Sequence, residues 1–226
     1  QEETVTQKLV DYKIREVNYL IYNVPEGDQY QHLTLSFPYK IEELNIKKVS
    51  LFQDETMVQA DPRIIYINEN ELAIEMTEYI PEFNKIIATL DNNQTVILDT
   101  GQYYFEEFEE YDYEEENMSS VSIESLHSQF WSGELVITTV FRNEDESEIE
   151  FKLPNRIEKY ISNLNFEKVN SEQYVLTATI SKDLLLDQKV DLAAIDLGFV
   201  ENNKGRKRFI LKIRETIQLS EYPSFN

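Results

Sequence analysis

The chain has 226 residues and a formal net charge of −22, from 43 acidic and 21 basic residues. So negative a field repels nucleic acids and anionic lipids, because phosphate binding depends on Lys and Arg. The chain contains no cysteine, which excludes disulfides and thiolate metal sites, and its 41% of hydrophobic residues disfavours disorder. No stretch approaches the roughly 20 apolar residues of a membrane-spanning helix.

Apolar and polar residues alternate with period 2 through most of the first half, and Tyr and Phe are abundant. Both features favour half-buried strands over helices. The turn Asp91-Asn92-Asn93 precedes an apolar run and predicts a hairpin, because Asn tolerates a positive φ. Predicted strands lie at residues 12–22, 32–38, 47–53, 63–67, 71–77, 85–90 and 95–99.

An acidic aromatic segment follows at the middle of the chain. From Glu106 to Glu116 there are 8 acidic residues and no basic one. One interpretation is a solvated linker or the frayed end of the preceding strand. The other is an interaction segment, whose rings anchor in a protein partner while the carboxylates attract basic groups. The candidate aromatic residues are Tyr103, Tyr104, Phe105, Phe108, Tyr111 and Tyr113.

The second half repeats the plan of the first, with a hairpin predicted at Asn202-Asn203. Short helical turns are predicted at residues 39–44, 77–83, 156–160 and 181–186, the last with Ser181 as N-cap. Predicted strands lie at residues 121–130, 134–141, 147–153, 164–169, 174–180, 189–200 and 207–216.

These elements predict an all-β chain of two tandem immunoglobulin-like β-sandwich domains. The first domain covers residues 1–105, the acidic aromatic linker residues 106–119, and the second domain residues 120–226. Cys–Trp–Cys spacing is absent, which excludes an antibody-type domain. The alternative is one long sandwich or barrel running through both halves.

The only basic cluster in the chain lies on the last hairpin of the second half, which gives the acidic segment a possible docking site within the same chain. Exposed ion pairs contribute only about 0–1 kcal/mol each, so such a clamp also requires buried rings. The cluster consists of Lys204, Arg206, Lys207, Arg208, Lys212 and Arg214. Trp131 is a further interaction candidate, as a sugar-stacking face or as an anchor in the core or at the domain junction.

No catalytic, cofactor or metal site is predicted. His32 and His127 are isolated, the glycines form no phosphate-binding loop, and a Gly-x-Ser-x-Gly elbow is absent. The acidic run at residues 143–148 lacks the Asp-x-Asp-x-Asp-Gly pattern of a calcium loop and is explained equally well by a solvated hairpin tip. Carboxylate pairs are too numerous here to indicate a glycosidase.

In architecture and composition the chain resembles the extracytoplasmic modules of Gram-positive surface proteins and lipoproteins. The resemblance implies a non-enzymatic binding or scaffolding module whose partner is a protein or a cell-envelope component. The polar start at Gln1 is expected to follow a removed signal peptide or an anchor. Two alternatives stay open: a β-sandwich carbohydrate-active enzyme using paired carboxylates, and a structural subunit of a surface appendage or secretion machine.

Overall fold

The computed structural model describes residues 7–9, 15–22, 31–37, 39–108, 121–131, 134–143, 147–203 and 205–218. Strands account for most of these residues, and the helices among them are short. The prediction of an all-β chain is therefore confirmed. The chain divides into two compact units. We call them the N-terminal unit (residues 1–17 and 27–105) and the C-terminal unit (residues 18–26 and 106–226).

The N-terminal unit contains strands of two sheets. In one, the strands run in the order β9-β8-β4-β5 with antiparallel pairing, and β1 pairs in parallel with β9. The other has the order β3-β7-β6. The strands are β1 Gln7–Leu9, β2 Arg15–Tyr22 (which the boundary between the units divides), β3 Gln31–Ser36, β4 Ile46–Gln53, β5 Thr56–Ala60, β6 Arg63–Ile67, β7 Glu71–Met76, β8 Glu82–Leu90 and β9 Thr95–Phe108.

Two sequence features of this unit reappear in the structure. Strand β3 alternates strictly, with Leu33 and Leu35 buried and their neighbours exposed. The hairpin predicted at Asp91-Asn92-Asn93 joins β8 to β9 and is confirmed, with Asn93 at φ 63°. The helical turn predicted at residues 39–44 is a short 3-10 helix, Glu42–Leu44.

The helical turn predicted at residues 77–83 is wrong. No helix occurs at these described residues, and β8 begins at Glu82. The reason is tertiary, because Phe83 is fully buried and its ring stacks on Tyr103 of β9 with centroids 4.7 Å apart. Pairing with β9 thus overrides the local preference.

The C-terminal unit also contains strands of two antiparallel sheets. Their orders are β10-β11-β14-β13 and β12-β15-β16. The strands are β10 Val121–Trp131, β11 Glu134–Asn143, β12 Glu148–Lys152, β13 Ile161–Lys168, β14 Gln173–Ser181, β15 Leu192–Asn203 and β16 Arg206–Gln218, and the helices are α1 Asn155–Glu158 and α2 Asp183–Gln188.

One apolar core joins both sheets of the C-terminal unit. Ile137 of β11 and Ile180 of β14 pack in the same cluster as Ile195 of β15 and Ile217 of β16, and all four are fully buried. Leu184 of α2 belongs to this cluster as well. The inward residues of two sheets therefore meet face to face, which makes this unit a two-layer structure.

Two local predictions in this unit need correction. Helix α2 begins at Asp183 with Lys182 at the N-cap position, although the Ser181 hydroxyl still accepts a hydrogen bond from the Asp183 amide at 3.2 Å. In the last hairpin, Asn203 remains paired in β15, and Gly205 of the turn has a positive φ of 85°. Glycine adopts this conformation without steric cost, so it replaces the Asn pair as the turn residue.

Candidate functional site

Strand β13 differs from the other strands of its sheet in being exposed on both faces. Every residue after Ile161 is exposed, whereas β11, in the interior of the same sheet, alternates between exposed or half-buried and buried residues. Among the strands that the structure describes, β13 pairs with β14 alone. It is thus an edge strand of this four-stranded sheet.

The apolar side chains of β13 point toward the core side of the sheet. Leu164 lies opposite Ala178, and Phe166 lies opposite Leu176. Side chains that are directly opposite on neighbouring strands share a face, and Ala178 and Leu176 are buried core residues. Leu164 and Phe166 are nevertheless 52% and 41% exposed. The described part of the opposing layer therefore leaves them largely uncovered.

Aromatic contacts fix the position of Phe166. Its ring stacks on Tyr174 of β14 with centroids 5.5 Å apart, and its centroid lies 6.5 Å from that of the buried Phe141. Val169, which follows β13, is 55% exposed. We call Leu164 and Phe166, together with their backbone groups on the side of β13 away from β14, the β13 ledge.

The backbone of β13 offers hydrogen-bonding groups on its open side. The Val169 amide donates to the Gln173 carbonyl at 2.9 Å, so Val169 faces β14. In an antiparallel ladder, the backbone groups of successive residues point alternately to one side and the other. Asn165 and Glu167 therefore also face β14, whereas the N–H and C=O groups of Leu164 and Phe166 point away from it.

The predicted aromatic candidates occupy different environments. Tyr103 and Phe105 are buried in the N-terminal unit, where both stack on Phe83. Tyr104 is half-buried and lies opposite Glu82. Strand β9 continues to Phe108, where the backbone alone is described, and Tyr111 and Tyr113 lie outside the described residues. The rings of Tyr103 and Phe105 thus serve as core side chains.

The start of the acidic segment has a local role in the C-terminal unit. A carboxylate oxygen of Glu106 accepts a hydrogen bond from the backbone amide of Asn155 at 2.8 Å. Asn155 is the first residue of α1, where amide groups lack partners within the helix. Glu106 therefore satisfies one of these amides, and the residues from Glu109 to Glu116 lie outside the described part of the chain.

Part of the basic cluster is engaged by carboxylates of its own sheet. Lys207 lies 3.7 Å from Glu150 of β12, and Arg214 donates two hydrogen bonds to Asp196 of β15, at 2.7 and 3.2 Å. The remaining candidates are described incompletely: for Arg206, Arg208, Lys212 and Trp131 the backbone alone is described, and Lys204 lies outside the described residues. Docking of the acidic segment on this hairpin remains a prediction.

A polar cleft of about 350 Å³ in the N-terminal unit was not predicted from the sequence. It lies beside a bulge in β9, where residues 100–102 interrupt the pairing with β8 and Gly101 has φ 74°. An isolated glycine within a strand pattern is the signal that could have indicated this bulge. The lining residues are Asp54, Glu55, Asn84, Lys85, Ile97, Asp99, Gly101 and Gln102.

The polar groups of this cleft bind one another. The Asn84 amide donates to the Asp54 carboxylate at 2.8 Å, and Lys85 lies 3.1 Å from Glu55. Within the described residues, no group of three or more His, Cys, Asp or Glu side chains is arranged to hold a metal ion. These contacts of Asp54 and Glu55 join β8 to the β4–β5 turn.

His32 belongs to another polar cluster of the N-terminal unit. Its Nε2 atom lies 3.3 Å from Glu75 on the adjacent strand β7, and Arg63 of β6 contacts the other oxygen of the same carboxylate. Three strands thus contribute one polar side chain each. In the described residues no helix has both the length and the hydropathy required to cross a membrane.

Comparison with known proteins shows no matching family model and no matching curated protein. The chain is similar to a solved protein of unknown function from Porphyromonas gingivalis W83, with 11% identity, 81% of this chain and 83% of that chain covered, and a TM-score of 0.27. It is also similar to a marsupial T cell receptor, with 9% identity, coverage of 89% and 59%, and a TM-score of 0.24. Scores this low support no assignment of family or function.

Proposed function

We propose that this chain is a non-enzymatic binding or scaffolding module whose protein partner docks on the β13 ledge. The observation that carries the proposal is the exposure of Leu164 and Phe166 on the core-facing side of an edge strand. Soluble proteins commonly protect such edges with charges, proline or bulges, because open strands pair with other chains. Strand β13 has a register shift between Ile161 and Asn163 and carries Glu167 and Lys168, but between them the ledge presents two exposed apolar side chains.

The arrangement in two domains and the location of the protein in the cell are further parts of this proposal. The proposed architecture is two tandem immunoglobulin-like β-sandwich domains, which the division of the chain into two compact units supports. An extracytoplasmic position on a bacterial, Gram-positive surface agrees with the cysteine-free and acidic composition. Protease treatment of intact cells that produce the full-length protein tests this location: cleavage is expected on intact cells, and complete protection contradicts it.

The two competing functions receive less support from the described residues. A carbohydrate-active enzyme requires a carboxylate pair, and of the cleft carboxylates Asp54, Glu55 and Asp99, the first two already contact Asn84 and Lys85. A self-assembling appendage subunit would bring together copies with a net charge of −22 each, which repel one another. A separate partner fits the ledge better.

Selection from a displayed library of random extended peptides tests the proposed function. The immobilised chain is expected to enrich peptides that the L164T/F166T variant no longer binds. Leu186→Thr is the matched control, because Leu186 is 54% exposed but lies on α2. Peptides bound equally well by the wild type and the double variant, or no enrichment at all, would contradict the proposal.

A further inference from the structure

We propose that the partner adds an antiparallel strand to β13, with apolar side chains on the face of Leu164 and Phe166 and basic side chains on the other face. This inference rests on the proposed function, since it specifies how the β13 ledge binds. The occupant is therefore a segment of another protein in extended conformation, with a period of 2 in its hydropathy.

The backbone geometry supports the added strand. The N–H and C=O groups of Leu164 and Phe166 point to the open side of β13, as the pairing of Val169 with Gln173 requires. These two residues supply two donors and two acceptors at the spacing of a ladder. An incoming strand satisfies them and extends the order β10-β11-β14-β13 by one member.

The side chains determine where the partner must be apolar. Residues of the added strand that lie opposite Leu164 and Phe166 share their face, which is the face of the core residues Ala178 and Leu176. Apolar side chains at these two positions cover the ledge and enlarge the apolar layer. The ledge is therefore expected to select a partner by the alternation of apolar and polar residues in its strand, as well as by the composition of that strand.

Charge determines the other face of the partner. The opposite face of β13 carries Asn163, Asn165 and Glu167, which include a carboxylate and no basic group. The whole chain has a net charge of −22, so Lys or Arg in the added strand accelerates association and stabilises the complex. A second copy of this chain brings a further −22 and is the less favourable occupant.

Synthetic peptides test the inference directly. The first peptide has nine residues in which Val or Ile alternates with Lys or Thr, and its isomer has the same composition with the apolar residues in one block. We expect the alternating peptide to bind at least about tenfold more tightly, a difference of 1.4 kcal/mol. Leu164→Thr and Phe166→Thr should each weaken this binding about tenfold, whereas Leu186→Thr should leave it unchanged.

N-methylation of the peptide backbone separates strand addition from other modes of binding. Methyl groups on the amides that face β13 should abolish binding, and methyl groups on the intervening amides should be tolerated. If both patterns are tolerated while L164T and F166T still weaken binding, the β13 ledge binds partners but strand addition is wrong. If the ledge variants have no effect, both proposals are wrong.

Self-association provides the remaining decisive outcome. Sedimentation of the wild-type chain is expected to show a monomer across the concentrations used for the peptides. A concentration-dependent dimer that Phe166→Thr dissociates would overturn the inference, because the occupant would then be a second copy.

Discussion

Leu164 lies directly opposite Ala178 across the β13–β14 ladder, yet Leu164 is 52% exposed and Ala178 is fully buried. The two side chains point to the same face of one sheet. This difference in exposure shows that the apolar face of the sheet extends to β13, where the described residues of the opposing layer no longer cover it. The proposed docking of a partner rests on this uncovered apolar face.

If Leu164 serves binding rather than folding, its replacement should barely alter stability. We expect Leu164→Thr to change the free energy of unfolding by less than about 0.5 kcal/mol, because Thr also suits a strand. The buried Ile137 on β11 is the matched comparison, and Ile137→Ala should cost about 2–5 kcal/mol. Urea denaturation measures both values. An equal loss in the two variants would show that Leu164 is a core residue.

Thr139 offers a substitution that should not weaken the protein. Its side chain is fully buried on β11, and its hydroxyl has no hydrogen-bond partner among the described residues. A buried unsatisfied hydroxyl costs about 1–3 kcal/mol, and valine has nearly the same shape. Thr139→Val should therefore leave the denaturation midpoint unchanged or raise it. A clear decrease would reveal a partner for this hydroxyl outside the described residues.

The ion pair of Asp196 and Arg214 should contribute more to stability than a surface pair does. The Asp196 side chain is 1% exposed and accepts two hydrogen bonds from the guanidinium group. We expect Arg214→Ala to cost about 2 kcal/mol, since hydrogen bonds to charged groups contribute about 1.5–3 kcal/mol. Lys40→Ala removes an exposed pair with Glu69 and should cost less than about 1 kcal/mol. Similar losses would contradict this ranking.

Glu150 should give a pH-dependent contribution to stability. Lys152 donates a hydrogen bond to it at 2.8 Å and lowers the pKa of its carboxyl, partial burial opposes the shift, and Lys207 adds a further lowering. Because the pKa is lower in the folded state, the contribution is present at neutral pH and is lost as pH falls below the ordinary value of 4.5. Glu150→Gln should therefore destabilise the protein by at most about 1 kcal/mol at pH 7.

The same substitution should have a smaller effect at pH 3, because the contribution of a carboxyl whose pKa is lowered in the folded state declines as pH falls below the ordinary value of 4.5. Denaturation of the wild type, Glu150→Gln, Lys152→Met and the double variant at both pH values measures the coupling. Additive losses at pH 7 would show that Lys152 and Glu150 do not interact, and a loss that persists at pH 3 would assign it to packing.

The all-β fold class could be predicted because short sequence patterns, such as alternation and turn residues, indicate it. The alternation of Leu33 and Leu35 in β3 and the turn at Asn93 are properties of short segments, and both appear in the structure. Residues 77–83 were predicted wrongly because the burial of Phe83 against Tyr103 depends on a strand about 20 positions away. Helix α2 was found, but its start was displaced by two residues.

The candidate site was harder to predict. Leu164 and Phe166 are spaced as ordinary core residues, and the sequence does not reveal that β13 is an edge strand or that its inner face is uncovered. Tyr103 and Phe105 show the opposite case, because their acidic surroundings suggest a surface and yet both are buried. Exposure depends on which strand lies opposite, and this is set by long-range pairing.

Amide hydrogen exchange, with and without the alternating peptide, tests the central claim most directly. In the free chain the amides of Leu164 and Phe166 should exchange quickly, because they face the open side of β13, whereas those of Asn165 and Glu167 should be slower. Bound peptide should slow the exchange of Leu164 and Phe166. Fast exchange at both amides in the saturated complex would contradict the account.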